Sequence, residues 1–115
     1  MKECPKHIRK LIWHYAGVAH EEELRRALVP LAAQFDEWRA GRLSSGELSD
    51  EIHTFHNGPN RELFKLYNEP TPLDSAVAHA IVTGVLDETK IEPGLLEYLA
   101  SAIRFRREKP QPDPE

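Results

Sequence analysis

The sequence predicts an all-α fold, a compact bundle of five to six helices. Apolar residues recur every three or four positions through most of the chain, glycines, prolines and one capping box divide it into segments, and no segment alternates as a strand does. The 115 residues, 40% of them hydrophobic, amount to about one domain with a core of its own. We predict a single helical domain over residues 1–108 and a disordered, proline-rich tail over residues 109–115.

Two apolar stripes occupy the first third of the chain. The first stripe consists of Ile8, Leu11, Ile12, Tyr15 and Ala19, and the second consists of Leu24, Leu28, Leu31, Phe35 and Trp38. At about 100° per residue the two stripes point to nearly opposite sides of a helix. Either the helix breaks near Gly17, or one long helix serves two surfaces. We favour the break, because glycine is common where helices end. The second, heptad-like stripe also predicts a surface for dimerisation.

The clearest helix start lies in the middle of the chain, after Gly41. Ser44 and Glu47 have the spacing of a capping box, in which each residue binds the other's backbone N–H. Further on, Asn57-Gly58 predicts the end of this helix and Pro59 predicts the start of another. Pro30, on the polar side of the second stripe's helix, should bend that helix rather than end it.

Two more helices are predicted in the last third of the chain. Thr71 is the expected N-cap of the first of them, with Pro72 at its first position. Pro93 opens the other, which ends in an arginine-rich turn that suits the helix dipole. The residues expected on the buried sides are Val77, Ala80, Ile81, Val85, Leu95, Leu96, Leu99, Ala102 and Ile103.

Composition narrows the classes of function. The chain has 15 Lys and Arg against 19 Asp and Glu, and this net charge of -4 argues against nucleic acid as a partner. Cys4 is the single cysteine, so no intrachain disulfide forms, and no apolar run reaches the roughly 18 residues of a membrane span. The first residues are charged and do not resemble a secretory signal. We therefore expect a cytoplasmic protein that does not act at a membrane and needs no cofactor to fold.

A candidate metal site lies on the helix that the capping box opens. Asp50, His53 and His56 follow at intervals of three residues and can offer nitrogen and oxygen ligands to a divalent metal. Cys4 and His7 have the same spacing and would complete a four-ligand zinc site if they met the histidine pair. The competing interpretation is that these are surface side chains on a polar helix face.

A candidate anion site follows directly. If a helix starts at Pro59, its free backbone N–H groups and the guanidinium of Arg61 favour a phosphate or carboxylate, with Asn60 beside them. His56 could then act as an acid or base in a hydrolytic reaction. Ordinary turn chemistry explains most of the same residues without a ligand.

No established catalytic motif is present: the chain lacks a glycine-rich phosphate loop, a nucleophile elbow, a His-Glu-x2-His motif and a paired-cysteine finger. We therefore favour a non-enzymatic protein-interaction or regulatory module that associates with itself or with another protein. The alternative is a metal- or anion-binding protein that uses the region of His53, His56 and Arg61.

Overall fold

The computed structural model describes residues 4–68 and 72–108, and within these ranges it contains helices and no strand. The helices are α1 (Lys6–Arg39), α2 (Ser45–Phe55), α3 (Arg61–Tyr67), α4 (Leu73–Val82), α5 (Pro93–Tyr98) and α6 (Ala100–Glu108). A π-helical turn over His56–Asn60 joins α2 to α3, and a short 3-10 turn over Glu88–Lys90 precedes α5. The predicted all-α bundle of five to six helices is confirmed.

The first helix is one uninterrupted element of 34 residues, so the break that we favoured near Gly17 is wrong. Gly17 is exposed, and a glycine inside a helix costs only about 1 kcal/mol relative to alanine. That cost is small beside the burial of the first stripe and the partial burial of the second on opposite sides of one helix about 51 Å long. The helix ends at Arg39, and two residues later Gly41 has a φ of +82°, which only glycine adopts readily.

The core surrounds the first half of α1. Ile8, Ile12, Ala16 and Ala19 pack in the core against α4 and α5, as the first stripe predicts for one face. The other buried members of this cluster are Tyr67, Ala76, Val77, Ala78, Ala80, Ile81, Leu86, Ile91, Leu95, Leu99 and Ile103. Alanines dominate the contact face of α4, which lets its backbone approach α1 closely.

The second half of α1 packs less extensively. It contacts α2, the π-helical turn and α3, which run back along it as a hairpin. Between residues 24 and 64 Leu48 is the one buried side chain. The core thus lies at one end, and the other end is a pair of helices with one side open.

The bundle is elongated, measuring 56 × 31 × 27 Å, because α1 extends well beyond the core. Its radius of gyration is 17.5 Å, whereas a globular chain of this length has about 13 Å.

The capping box at the start of α2 is confirmed in both directions. The Glu47 backbone N–H donates to Ser44 Oγ at 3.1 Å, and the Ser44 N–H donates to Glu47 Oε1 at 3.1 Å. The predicted helix end at Asn57-Gly58 and the new start at Pro59 are wrong, because the chain stays helical through both. The π-helical turn widens the backbone at Pro59, which relieves the clash of its ring with the carbonyl group four residues earlier.

Helix α4 begins at Leu73 with Pro72 in the N-cap position. Thr71, our predicted cap, and the predicted tail over residues 109–115 lie outside the described residues. Pro93 opens α5 as predicted, and only Leu99 separates α5 from α6. In the described ranges, every helix is too short or too polar to cross a membrane.

Candidate functional site

The predicted anion site loses its main physical basis. Because α2 continues through the π-helical turn, Arg61 does not follow a free helix N-terminus; its backbone N–H donates to the Gly58 carbonyl oxygen. Asn60 has ordinary helical dihedrals, and its Nδ2 lies 3.4 Å from His56 Nδ1. Anion binding by His56, Asn60 and Arg61 stays a prediction, now without a helix terminus to support it.

The predicted metal ligands lie on one solvent-exposed surface. Asp50, His53 and His56 are all exposed. Among residues 4–68 and 72–108, no three His, Cys, Asp or Glu side chains are arranged to hold a metal ion. His7 is at the start of α1, about 30 Å along the helix from the segment that contacts α2, so the second ligand pair does not meet the first. The metal hypothesis stays a prediction without geometric support.

The second stripe forms the most distinctive surface of the molecule. None of its five residues is buried: Leu24, Leu31 and Phe35 are half-buried, Leu28 is 40% exposed and Trp38 is 41% exposed. A heptad-like stripe ordinarily faces a partner helix along its whole length. Here α2 covers the stripe from one side only, and the other side stays open.

Trp38 and Ser45 fix the position of α2 beside the stripe. The indole Nε1–H of Trp38 donates to Ser45 Oγ at 2.9 Å, which joins the end of α1 to the start of α2. Ile52 lies two turns after Ser45, on the same face of α2, and is 42% exposed. Ile52 therefore extends the apolar surface from α1 onto α2. We call the stripe together with Ile52 the open face.

A shallow cleft of about 390 Å³ runs along α1 beside the open face. Its walls combine two residues of the stripe with neighbouring apolar and charged side chains: Glu21, Leu24, Arg25, Leu28, Val29 and Ala32. An apolar strip with a charged border is the usual composition of a protein-interaction surface.

A second cleft, of about 340 Å³, lies where α2 leaves α1, between Pro30 and Pro59. Its other walls are Ala27, Leu31, Gln34, Glu51, Thr54 and Phe55. Glu51 is the one titratable group among them, and it offers no acid–base pair for catalysis.

A polar junction that sequence reasoning missed connects three helices next to the core. The Tyr67 hydroxyl of α3 donates to the Glu23 carboxylate of α1, and the His20 ring stacks on Tyr67 with the centroids 5.3 Å apart. Tyr67 is 4% exposed; its burial and the neighbouring carboxylate both raise the pKa of its hydroxyl. Burial, and then the Arg106 guanidinium, lower the pKa of His79 on α4, while Glu23 acts in the opposite direction.

This junction keeps Tyr67 protonated and favours the neutral form of His79. These properties suit a structural role, in which the junction holds α1, α3 and α4 together. The sequence carries no signal for it, since Glu23 and Tyr67 are 44 residues apart and only the return of the hairpin brings them together.

No protein-family model matches the chain, and neither do the curated proteins or the solved structures with which it was compared. A functional proposal therefore rests on the geometry of the chain itself.

Proposed function

We propose that this protein is a non-enzymatic interaction module that associates with a second copy of itself through the open face. The observation that carries the proposal is the partial exposure of the whole second stripe, from Leu24 to Trp38. Five large apolar residues at regular helical spacing are costly to leave in water, at about 25 cal/mol per Å² of apolar surface. Packing against a second copy removes that cost for both chains at once.

The architecture of the hairpin supports the same partner. The second half of α1 and α2 form an antiparallel helix pair, which is half of a four-helix bundle. A second hairpin laid against the open face completes four helices around one apolar seam. A two-fold arrangement buries the same residues on both copies, which is how most homodimers are built.

The experiment compares the mass of three proteins over a range of concentrations, by sedimentation equilibrium and native mass spectrometry. We expect the wild-type chain to dimerise and Leu28→Glu to raise the dissociation constant at least about 100-fold, because a carboxylate would enter the apolar seam twice per dimer. Trp13→Glu is the matched control: Trp13 is 73% exposed but lies on the first half of α1, outside the open face. It should dimerise as the wild type does.

Far-UV circular dichroism of each variant verifies that the helices remain. Should Leu28→Glu lose helicity, Ile52→Glu on α2 tests the same face. A wild-type chain that stays monomeric at all concentrations would overturn the proposal. So would a pattern in which Trp13→Glu dissociates the dimer and Leu28→Glu does not, since the interface would then lie elsewhere.

A further inference from the structure

Four exposed charges border the open face along α1, and their spacing is regular. Glu21 and Arg39 are 18 residues apart, which is five full turns, so they point in the same direction. Arg25 and Asp36 are 11 residues apart, about three turns, and also share a direction. All four are exposed. Glu21 and Arg25 line the cleft with Leu24 and Leu28, which places this charged border directly beside the stripe.

The four charges are arranged symmetrically about the middle of the stripe, so that each acidic residue has a basic counterpart at the same distance on the other side. Acidic Glu21 precedes basic Arg25 at one end, and acidic Asp36 precedes basic Arg39 at the other. The midpoints of the pairs Glu21–Arg39 and Arg25–Asp36 fall at position 30 and between positions 30 and 31. A second α1 that is related to the first by a two-fold axis at this midpoint would therefore place a basic side chain opposite each acidic one.

The apolar residues have almost the same centre. Leu24 and Phe35 are 11 residues apart and have their midpoint between positions 29 and 30. Leu28 and Leu31 have the same midpoint. One antiparallel register therefore matches leucine with leucine, leucine with phenylalanine, and both sets of opposite charges.

We propose that the second copy lies antiparallel across the open face, related by a two-fold axis close to position 30, with Glu21 facing Arg39 of the second copy and Arg25 facing its Asp36. This inference rests on the proposed self-association and specifies its orientation. Antiparallel helix pairs bring the same border of each helix together, as this pairing requires. A parallel pair in register would place this border of the two helices on opposite sides of the dimer, so these charges would not meet.

The four ion pairs of the dimer set its orientation more than its affinity. Asp36 and Arg39 form a marginal ion pair within one chain at 4.0 Å, and both side chains are more than 70% exposed, so either can exchange this contact for one across the interface. Exposed pairs contribute little each, but together they favour the antiparallel register in which all four pairs form.

The test uses charge reversals. Glu21→Arg and Arg39→Glu each turn two attractive contacts of the homodimer into repulsive ones, and we expect each to raise the dissociation constant about 10-fold at low ionic strength. An equimolar mixture of the two variants restores both contacts in the heterodimer. We therefore expect wild-type affinity and mainly heterodimers, counted by native mass spectrometry with one variant labelled with ¹⁵N.

Arg25→Glu is the matched control, because it makes the same change of charge as Arg39→Glu at a position that does not face Glu21. Mixed with Glu21→Arg, it should leave the affinity low. Equal rescue by Arg25→Glu would show that overall charge attracts the chains and would overturn the register.

The failures of the two proposals are distinguishable. If Leu28→Glu dissociates the dimer while Glu21→Arg and Arg39→Glu dimerise as the wild type does, the surface is right and the orientation is wrong. If the wild-type chain does not dimerise at all, the proposed function fails first. These substitutions are at exposed helix positions, and circular dichroism verifies that each variant folds.

Discussion

Replacing Tyr67 with phenylalanine tests the polar junction that joins α1 to α3. The change removes one hydroxyl and keeps the ring that packs in the core and stacks on His20. A hydrogen bond to a charged group contributes about 1.5–3 kcal/mol, and Glu23 is only half-buried, so water recovers part of the loss. We expect Tyr67→Phe to lower the free energy of unfolding by about 1–2 kcal/mol.

The assay is thermal and urea denaturation followed by circular dichroism at one fixed protein concentration, because self-association would add to stability. For 115 residues the entropy of unfolding near 60 °C is about 0.24 kcal/mol/K, so the loss lowers Tm by about 4–8 °C. The control is Tyr15→Phe. Tyr15 donates to Glu92 Oε2 at 2.9 Å near the surface, where water replaces the bond, and we expect a loss below about 0.5 kcal/mol.

The pH dependence gives the same prediction a second readout. The pKa of Tyr67 is raised in the folded protein, so its contribution to stability is complete below the unfolded-state pKa near 10 and is lost as the pH rises above it. At pH 11 the unfolded hydroxyl ionises while the folded one does not, which costs about 1.4 kcal/mol. The difference in the free energy of unfolding between the wild type and Tyr67→Phe should therefore be close to zero at pH 11. A Tyr67→Phe protein as stable as the wild type at pH 7, or a gap that stays constant up to pH 11, would refute this reasoning.

Two further predictions concern helix signals. Ser44→Ala removes the N-cap of α2 and should cost about 1 kcal/mol, or about 4 °C in Tm, whereas Ser49→Ala, at an exposed position within α2, should change stability by less than about 0.5 kcal/mol. Pro30→Ala returns a backbone N–H to the interior of α1 and should raise the free energy of unfolding by at least about 1 kcal/mol, whereas Pro93→Ala, at the first position of α5, should bring no gain.

Denaturation curves of each variant, recorded under the same conditions as those of the wild type, test both predictions. Equal losses for Ser44→Ala and Ser49→Ala would mean that the capping box does not stabilise α2. A Pro30→Ala protein less stable than the wild type would mean that the proline ring packs in its cleft more favourably than a restored hydrogen bond.

Local signals in the sequence identified several of the helix boundaries. The capping box at Ser44 and Glu47, the glycine at position 41 and the proline at position 93 all act within a few residues, so their spacing alone identifies them. Periodicity likewise identified Val77, Leu95 and Ile103 as core residues, because a regular helix turns the same face inward at every turn.

Only the tertiary structure decided what each helix face meets. The two stripes of α1 were visible in the sequence, but whether the chain broke at Gly17 depended on partners for both sides, which come from residues 45–103. The wider turn around Pro59 depended in the same way on a hairpin that packs back along α1. The local cost is about 1 kcal/mol for a glycine and about 3 kcal/mol for a proline inside a helix, and tertiary packing exceeds both.

The same physical reason explains why one candidate site was found from the sequence and another was not. The stripe from Leu24 to Trp38 was found from the sequence because it is periodic, although that pattern cannot tell a buried face from one left open. The junction of Glu23, Tyr67 and His79 was not found, because its members lie far apart in the chain and meet only when three helices pack. The sequence determined which residues are apolar or charged and on which helix face they lie, and the tertiary structure decided which of those faces are covered.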